Sequence, residues 1–207
     1  MRRLVIATTN RGKLREIETL LDGITFDLVT LGDWPEVAPP EETGRTFADN
    51  ARLKALYYAR HTGELTVAED SGLEIDELGG APGVESARFG GARSSYPEKF
   101  ALIYDALRAK KVAGSTARFV CALAMARGGD VLFETRGTVE GTIAPEPKGS
   151  GGFGYDPIFF YPPFECTLAE ATPEQKSTVS HRGEAFRKLR TYLMTQDVAS
   201  AFRRTSG

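Results

Sequence analysis

The chain opens with "LVIATTNRGKLREIETLL", and this stretch limits the possible folds more than any other in the 207 residues. Residues 4–7 are apolar and read as a strand. Residues 14–21 read as a helix, with Leu14, Ile17, Leu20 and Leu21 at helical spacing and Asp22-Gly23 closing the segment. Between them lies the polar turn Thr8-Thr9-Asn10-Arg11-Gly12-Lys13. A strand feeding a helix in this way opens an α/β fold, and strand-to-helix turns are where open α/β sheets bind ligands. The turn ends in lysine, as phosphate loops do, but G-x-x-x-x-G-K-[ST] fails here: it holds a single glycine, and Leu14 follows Lys13. Amides at a helix N-terminus can face an anion, and Lys13, Thr8 and Asn10 add charge and donors. The same residues also describe a capped helix with a surface lysine.

The remainder alternates in kind. Residues 33–45 are proline-rich and acidic and read as a loop, followed by a helix from about Thr46 to Arg60 with Ala51, Ala55, Tyr58 and Ala59 as its apolar stripe. His61-Thr62-Gly63 ends that helix. "LTVAEDSGLEID" reads as a buried strand that breaks at an acidic turn, and "LGGAPGVESARFGG" as a loop. Ser95 and Glu98 form a capping box ahead of a third helix. Two β-rich runs then meet at Arg127-Gly128-Gly129-Asp130, a hairpin signal. Thr172-Pro173-Glu174-Gln175 is a second capping box, and Ser180 caps a last helix whose Ala185, Phe186, Leu189, Tyr192 and Leu193 face a core. The order β-α-α-β-α-β-β-β-α gives a mixed sheet in one domain over residues 1–207, with the tail 195–207 frayed.

Charge excludes some roles. A net charge of -2 lacks the basic excess of a nucleic-acid binder, so no nucleic-acid partner is expected. No apolar run approaches a membrane span, and the apolar start is too short for a signal peptide, so a cytoplasmic location without membrane partners is expected. Cys121 and Cys166 match no metal spacing and read as small buried residues.

Three further stretches can carry chemistry. In "AEDSG", Glu69 and Asp70 end an apolar strand with side chains on opposite faces, one of them in position to meet Mg²⁺ or to orient water. An acidic turn in solvent is the alternative. Glu41 and Glu42 offer a second ligand or are simply solvated. "GSGGFGYDPIFF" places Phe153, Tyr155 and Asp156 on closely approachable backbone, where an aromatic face can stack on a base or fold into the core. In "EQKSTVSHRGEAF", His181 shares the inward face of Ala185 and Leu189, and Lys176 and Arg182 flank it, a cationic group suited to an anion. No serine or cysteine has a nucleophile setting, so water is the expected nucleophile.

Five motifs in order, "T-x-N-x-x-K" at 8–13, "EETG.TF..NA..KA" at 41–55, "EDSGLEIDELGGAPGVESARF" at 69–89, "GGFGYDPIF" at 151–159 and "K....SHR" at 176–182, closely resemble the inosine triphosphate pyrophosphatase family. Its bacterial members are the dITP/XTP pyrophosphatases. The resemblance implies a homodimer of two α/β lobes around a long mixed sheet, with the active-site cleft between the lobes. It implies Mg²⁺-dependent cleavage of nonstandard purine nucleoside triphosphates (ITP, dITP, XTP) to the monophosphate and pyrophosphate.

By the same matching, Thr8, Thr9, Asn10, Arg11, Gly12 and Lys13 hold phosphates. Asp70 is the catalytic carboxylate and a metal ligand, with Glu41 the second ligand, Glu42 lying in the same acidic loop. Ser71, Phe153, Gly154, Tyr155, Asp156, Lys176, His181 and Arg182 contact the nucleotide. Thr9 stands where the family commonly has glycine, and Glu69 where it often has aspartate. Donors from Arg182 or His181 aimed at O6 would favour hypoxanthine and xanthine over adenine. A pyrophosphatase for other modified or ordinary nucleotides and a non-catalytic nucleotide binder are the alternatives.

Overall fold

Strand β1 (Arg2–Ile6) buries Leu4, Val5 and Ile6 and delivers the chain, through the Thr8–Lys13 turn, into helix α1 (Arg11–Leu20). The computed structural model describes residues 2–205, the side chains of Arg11, Ser177 and residues 196–205 excepted. From α1 the chain returns as β2 (Phe26–Thr30), parallel to β1 with Leu4 opposite Leu28. Helix α2 (Phe47–Thr62) then crosses to β3 (Leu65–Ile75), which pairs with the other side of β1, again parallel. Helix α2 starts where Thr46 accepts a bond from the Asp49 amide and stops at Gly63, whose φ of 71° ends the helix.

Helix α3 (Tyr96–Ala109) begins with the expected Ser95/Glu98 capping box. Then follow β4 (Thr116–Arg127) and β5 (Asp130–Ile143), separated by Gly128-Gly129. Short strands β6 (Phe159–Tyr161) and β7 (Cys166–Thr167) extend β5 in antiparallel fashion. Helices α4 (Pro173–Val179), opened by the Thr172/Gln175 box, and α5 (His181–Thr205) complete the chain. The seven strands form one mixed sheet in the order β2-β1-β3-β4-β5-β6-β7, so the α/β reading holds.

Three expectations need correction. Strand β2 is absent from the sequence reading because Asp27 interrupts its apolar run and only Phe26 is buried, as suits a strand with a single neighbour. Strand β3 does not break at an acidic turn; it runs through Glu69 and Asp70, which are buried with partners. The last helix continues past residue 195 to Thr205, while the part of the frayed-tail expectation that falls on residues 206–207 lies outside the described residues.

Two compact units arise, and their boundaries fall inside β3, β4 and β5. Unit one comprises Met1–Asp70, Cys121–Gly137 and Arg182–Gly207. Its core joins Leu4 and Ile6 of β1, Ile17 and Leu21 around α1, Val67 of β3, Leu123 and Met125 of β4, and Phe186, Leu189 and Leu193 of α5. Unit two comprises Ser71–Val120 and Thr138–His181, with a core of Leu73, Ile103, Leu107, Phe119, Ile158, Phe159 and Leu168 among others.

Within unit two, Gly72 allows β3 to lie against Ser86. A Cβ there would sit 2.2 Å from the Ser86 hydroxyl oxygen and 2.8 Å from the Gly83 carbonyl. That hydroxyl also accepts the Leu73 amide at 2.9 Å and donates to Gly83 at 2.6 Å. Gly72→Ala should therefore destabilise the protein by about 1–3 kcal/mol, the usual cost of overpacking. Urea unfolding of the variant beside the parent measures it.

Candidate active site

Strand β3 carries the two acids that organise unit one. Successive strand residues face opposite sides, and Glu69 and Asp70 accordingly have separate partners. Glu69 is buried. One of its oxygens accepts Arg182 Nε at 3.0 Å and lies 3.1 Å from Lys13 Nζ, and the other accepts the Cys121 thiol at 2.9 Å. Arg182 is 1% exposed and also donates to Glu16 at 2.8 Å. Burial alone would raise the Glu69 pKa, but Arg182 and Lys13 hold the carboxylate well below the usual range. Burial, reinforced by Glu69, pushes the Cys121 thiol well up, so Cys121 is a neutral donor.

Asp70 faces α2. Its Oδ2 accepts Asn50 Nδ2 at 3.1 Å, and its Oδ1 accepts Lys54 Nζ at 3.2 Å. The same ammonium reaches Glu42 at 2.8 Å. Asn50 and Lys54 stand four residues apart, on one face of the helix. The Asn50 oxygen accepts the Gly44 amide at 2.7 Å, which pins the acidic loop to α2. Burial keeps the Asp70 carboxyl above the ordinary aspartate range, with Lys54 and Asn50 pulling it down and Glu42 pushing it up. Lys54 is raised: burial lowers it, but Asp70 and Glu42 outweigh that.

At the opening turn, the Asn10 side chain accepts the amides of Gly12 at 2.9 Å and Lys13 at 3.2 Å, and Thr8 accepts the Asn10 amide. Those amides cap the helix, so what the turn presents is the Lys13 ammonium held against Glu69 and the exposed Thr9. The Arg11 side chain lies outside the described residues.

Unit two holds the glycine-aromatic group. Phe153 is 49% exposed between Gly152 and Gly154, which have φ of 69° and 68°. Its amide donates to Asp156 Oδ2 at 2.7 Å, and the Lys176 ammonium bonds that same oxygen while lying 4.6 Å from the Phe153 ring centroid. Only glycine fits at 152, where a Cβ would meet the Asp156 oxygen at 2.2 Å. The His181 ring stacks on Phe119 at 5.1 Å, and Ser71 lies half-buried on β3.

Measured against the sequence, the expected site residues have these surroundings. Glu41 is exposed, and the carboxylate beside Asp70 is Glu42. Arg182 is buried as the counter-ion of Glu69 and Glu16. Tyr155 folds inward, its hydroxyl donating to the Ser86 carbonyl at 2.8 Å and its ring edge-on to Tyr96. Lys176 is paired with Asp156 rather than standing as an uncompensated cation. Asn50, Lys54 and Cys121 were missed. Their signal was present for α2: a polar pair four residues apart, interleaved with Ala51 and Ala55, puts an amide and a cation beside the buried face.

Glu69→Gln takes the buried carboxylate away from Arg182, which keeps Glu16, a loss of about 3–5 kcal/mol. Because the folded pKa of Glu69 is lowered, its contribution is complete above the unfolded carboxylate value of about 4.3 and is lost as pH falls below it. Denaturant unfolding from neutral to acid pH should show a large gap between parent and variant that narrows only on the acid side.

The comparisons with known proteins agree with this architecture. A family model described as the Ham1 family matches residues 4–192. The chain is 45% identical to a dITP/XTP pyrophosphatase of Exiguobacterium sp. (strain ATCC BAA-1283 / AT1b) over 93% of this chain and 97% of that one. It is 48% identical to a dITP/XTP pyrophosphatase of Gloeobacter violaceus over 91% and 93%. A HAM1 protein structure from Coxiella burnetii superposes with a TM-score of 0.89 at 38% identity, covering 94% of this chain and all (100%) of that one. With a family match spanning nearly every element from β1 into α5, this chain belongs to the Ham1 family.

Proposed function

We propose that this chain hydrolyses nonstandard purine nucleoside triphosphates, ITP, dITP and XTP, to the monophosphate and pyrophosphate. The observation that carries the reading is Asp70: a buried carboxylate held above its ordinary range, sharing one cation with Glu42. The names of its relatives in Exiguobacterium and Gloeobacter support the substrate class.

Mg²⁺ fits the donors of unit one. Among the described residues no group of three or more His, Cys, Asp or Glu could cage a metal. Two carboxylates already gathered on a positive charge are instead what Mg²⁺ takes from proteins, the rest of its shell being water and phosphate. Glu42 and Asp70 would hold it. When bound, it supplies positive charge against the phosphate oxygens.

The residues of unit one divide the work. Asp70 orients the water that attacks the α-phosphorus and accepts its proton. Lys13 has three donors, so it can keep Glu69 and still meet a phosphate oxygen. Glu69 and Arg182 fix Lys13 from behind. In unit two, the exposed face of Phe153 stacks the base, while Lys176 and His181 supply donors suited to a 6-oxo group and left unpaired by a 6-amino group. Rejection of guanine then rests on its 2-amino group. The protein acts as a cytoplasmic homodimer in this reading, in keeping with the free cysteines and with the lack, among the described residues, of any helix long and apolar enough to cross a membrane.

Turnover of ITP, XTP, ATP and GTP should be followed with and without Mg²⁺, scoring pyrophosphate apart from orthophosphate. Metal-dependent pyrophosphate release from ITP and XTP, with ATP and GTP nearly inert, is expected; orthophosphate release or equal use of ATP would sink the proposal. Asp70→Asn should lose turnover while unfolding near the parent temperature. Phe153→Ala should raise KM about tenfold, the loss of one base-stacking contact, with little change in metal dependence.

A further inference from the structure

The group formed by Lys54, Glu42 and Asp70 has a geometry that the proposed reaction does not explain. Lys54 Nζ bonds one oxygen of each acid, at 2.8 Å from Glu42 and 3.2 Å from Asp70. All three side chains are largely buried, with exposures of 13% for Lys54, 27% for Glu42 and 11% for Asp70. Asn50 holds the other Asp70 oxygen. The ammonium sits on the Asp70 oxygen that Asn50 leaves unbonded and reaches Glu42 from the same point. A divalent ion bridging the acids would need their oxygens at about 2.0–2.1 Å, closer than either now stands to the nitrogen. Ammonium and metal cannot both occupy that point.

We propose that Lys54 is a resident stand-in for the divalent ion: its ammonium holds Glu42 and Asp70 together until the ion arrives and is expelled when the ion binds. This rests on the reading of those acids as the metal ligands. The exchange has a charge logic. Two carboxylates and one ammonium sum to −1; with Mg²⁺ in place of the ammonium the acids are neutralised, and the released lysine adds +1 at the end of a flexible four-carbon stem. A site that repels a polyanion thus becomes one that attracts it, and only after the metal is in place.

The test needs two readouts on the full chain. Brief amine acetylation followed by peptide mass spectrometry reports whether Lys54 Nζ is engaged, with Lys188, paired to Glu184 at the surface, as the internal reference. Adding Mg²⁺ should raise Lys54 labelling severalfold and leave Lys188 unchanged. Calorimetric titration of Mg²⁺ into the parent and Lys54→Met should show binding about tenfold tighter in the variant, as expected when a positive charge in contact with the site is removed. If Mg²⁺ binds but Lys54 labelling stays flat or falls, the lysine remains in place and the stand-in role is wrong, although the metal reading survives. Binding to neither protein would instead remove Glu42 and Asp70 as ligands. The labelling arm uses the parent protein, so a poorly folded variant leaves the question answerable.

Discussion

Two adjacent carboxylates buried in a strand of a parallel ladder are the constraint on which unit one is built. A buried acid without a counter-charge costs several kcal/mol, so each of the pair must have its own cation, and the pleat sends them to opposite faces for it. On one face, Glu69 draws Lys13 from the end of the opening turn and Arg182 from the start of α5. On the other, Asp70 draws Lys54 and Asn50 from α2. Strand β3 sets the heights of these groups, and each helix delivers its partners to one of the two acids. The acid that retains the less complete compensation, Asp70, is the one with the raised pKa.

Much of the architecture was legible in the chain because local signals agreed with tertiary demand. Thr46 and Gly63 bracket α2, the Ser95/Glu98 and Thr172/Gln175 boxes open α3 and α4, and the Gly128-Gly129 turn separates β4 from β5. The failures share a cause. Strand β2 is half-polar and β3 contains two acids, and both depart from an apolar or alternating pattern because their polar groups are satisfied by partners distant in sequence. Pairing across more than a hundred positions, as between Glu69 and Arg182, leaves no local trace.

The site was legible as a set of residues and less so as a set of roles. The motifs contain Lys13, Asp70, Phe153, Asp156, Lys176 and Arg182, and these residues differ in burial. Phe153 is half exposed and offers a face, whereas Tyr155 two residues later is 4% exposed and anchors the Ser86 loop. Arg182 is a buried counter-ion and Lys13 is its partly exposed neighbour on the same acid. Glu41 and Glu42 are indistinguishable in the sequence because they are neighbours in one loop; in the structure Glu42 takes the bond from Lys54 and Glu41 is exposed.

The discontinuity of unit one bears on how the chain is made. Its segments end at Asp70, Gly137 and the C-terminus, whereas unit two is complete by His181. During synthesis every residue of unit two has been joined to the chain before Arg182 is added. Until then Glu69 has no guanidinium, and the apolar surface that Ala185, Phe186, Leu189 and Leu193 will cover stays open. The half that begins first is therefore closed last.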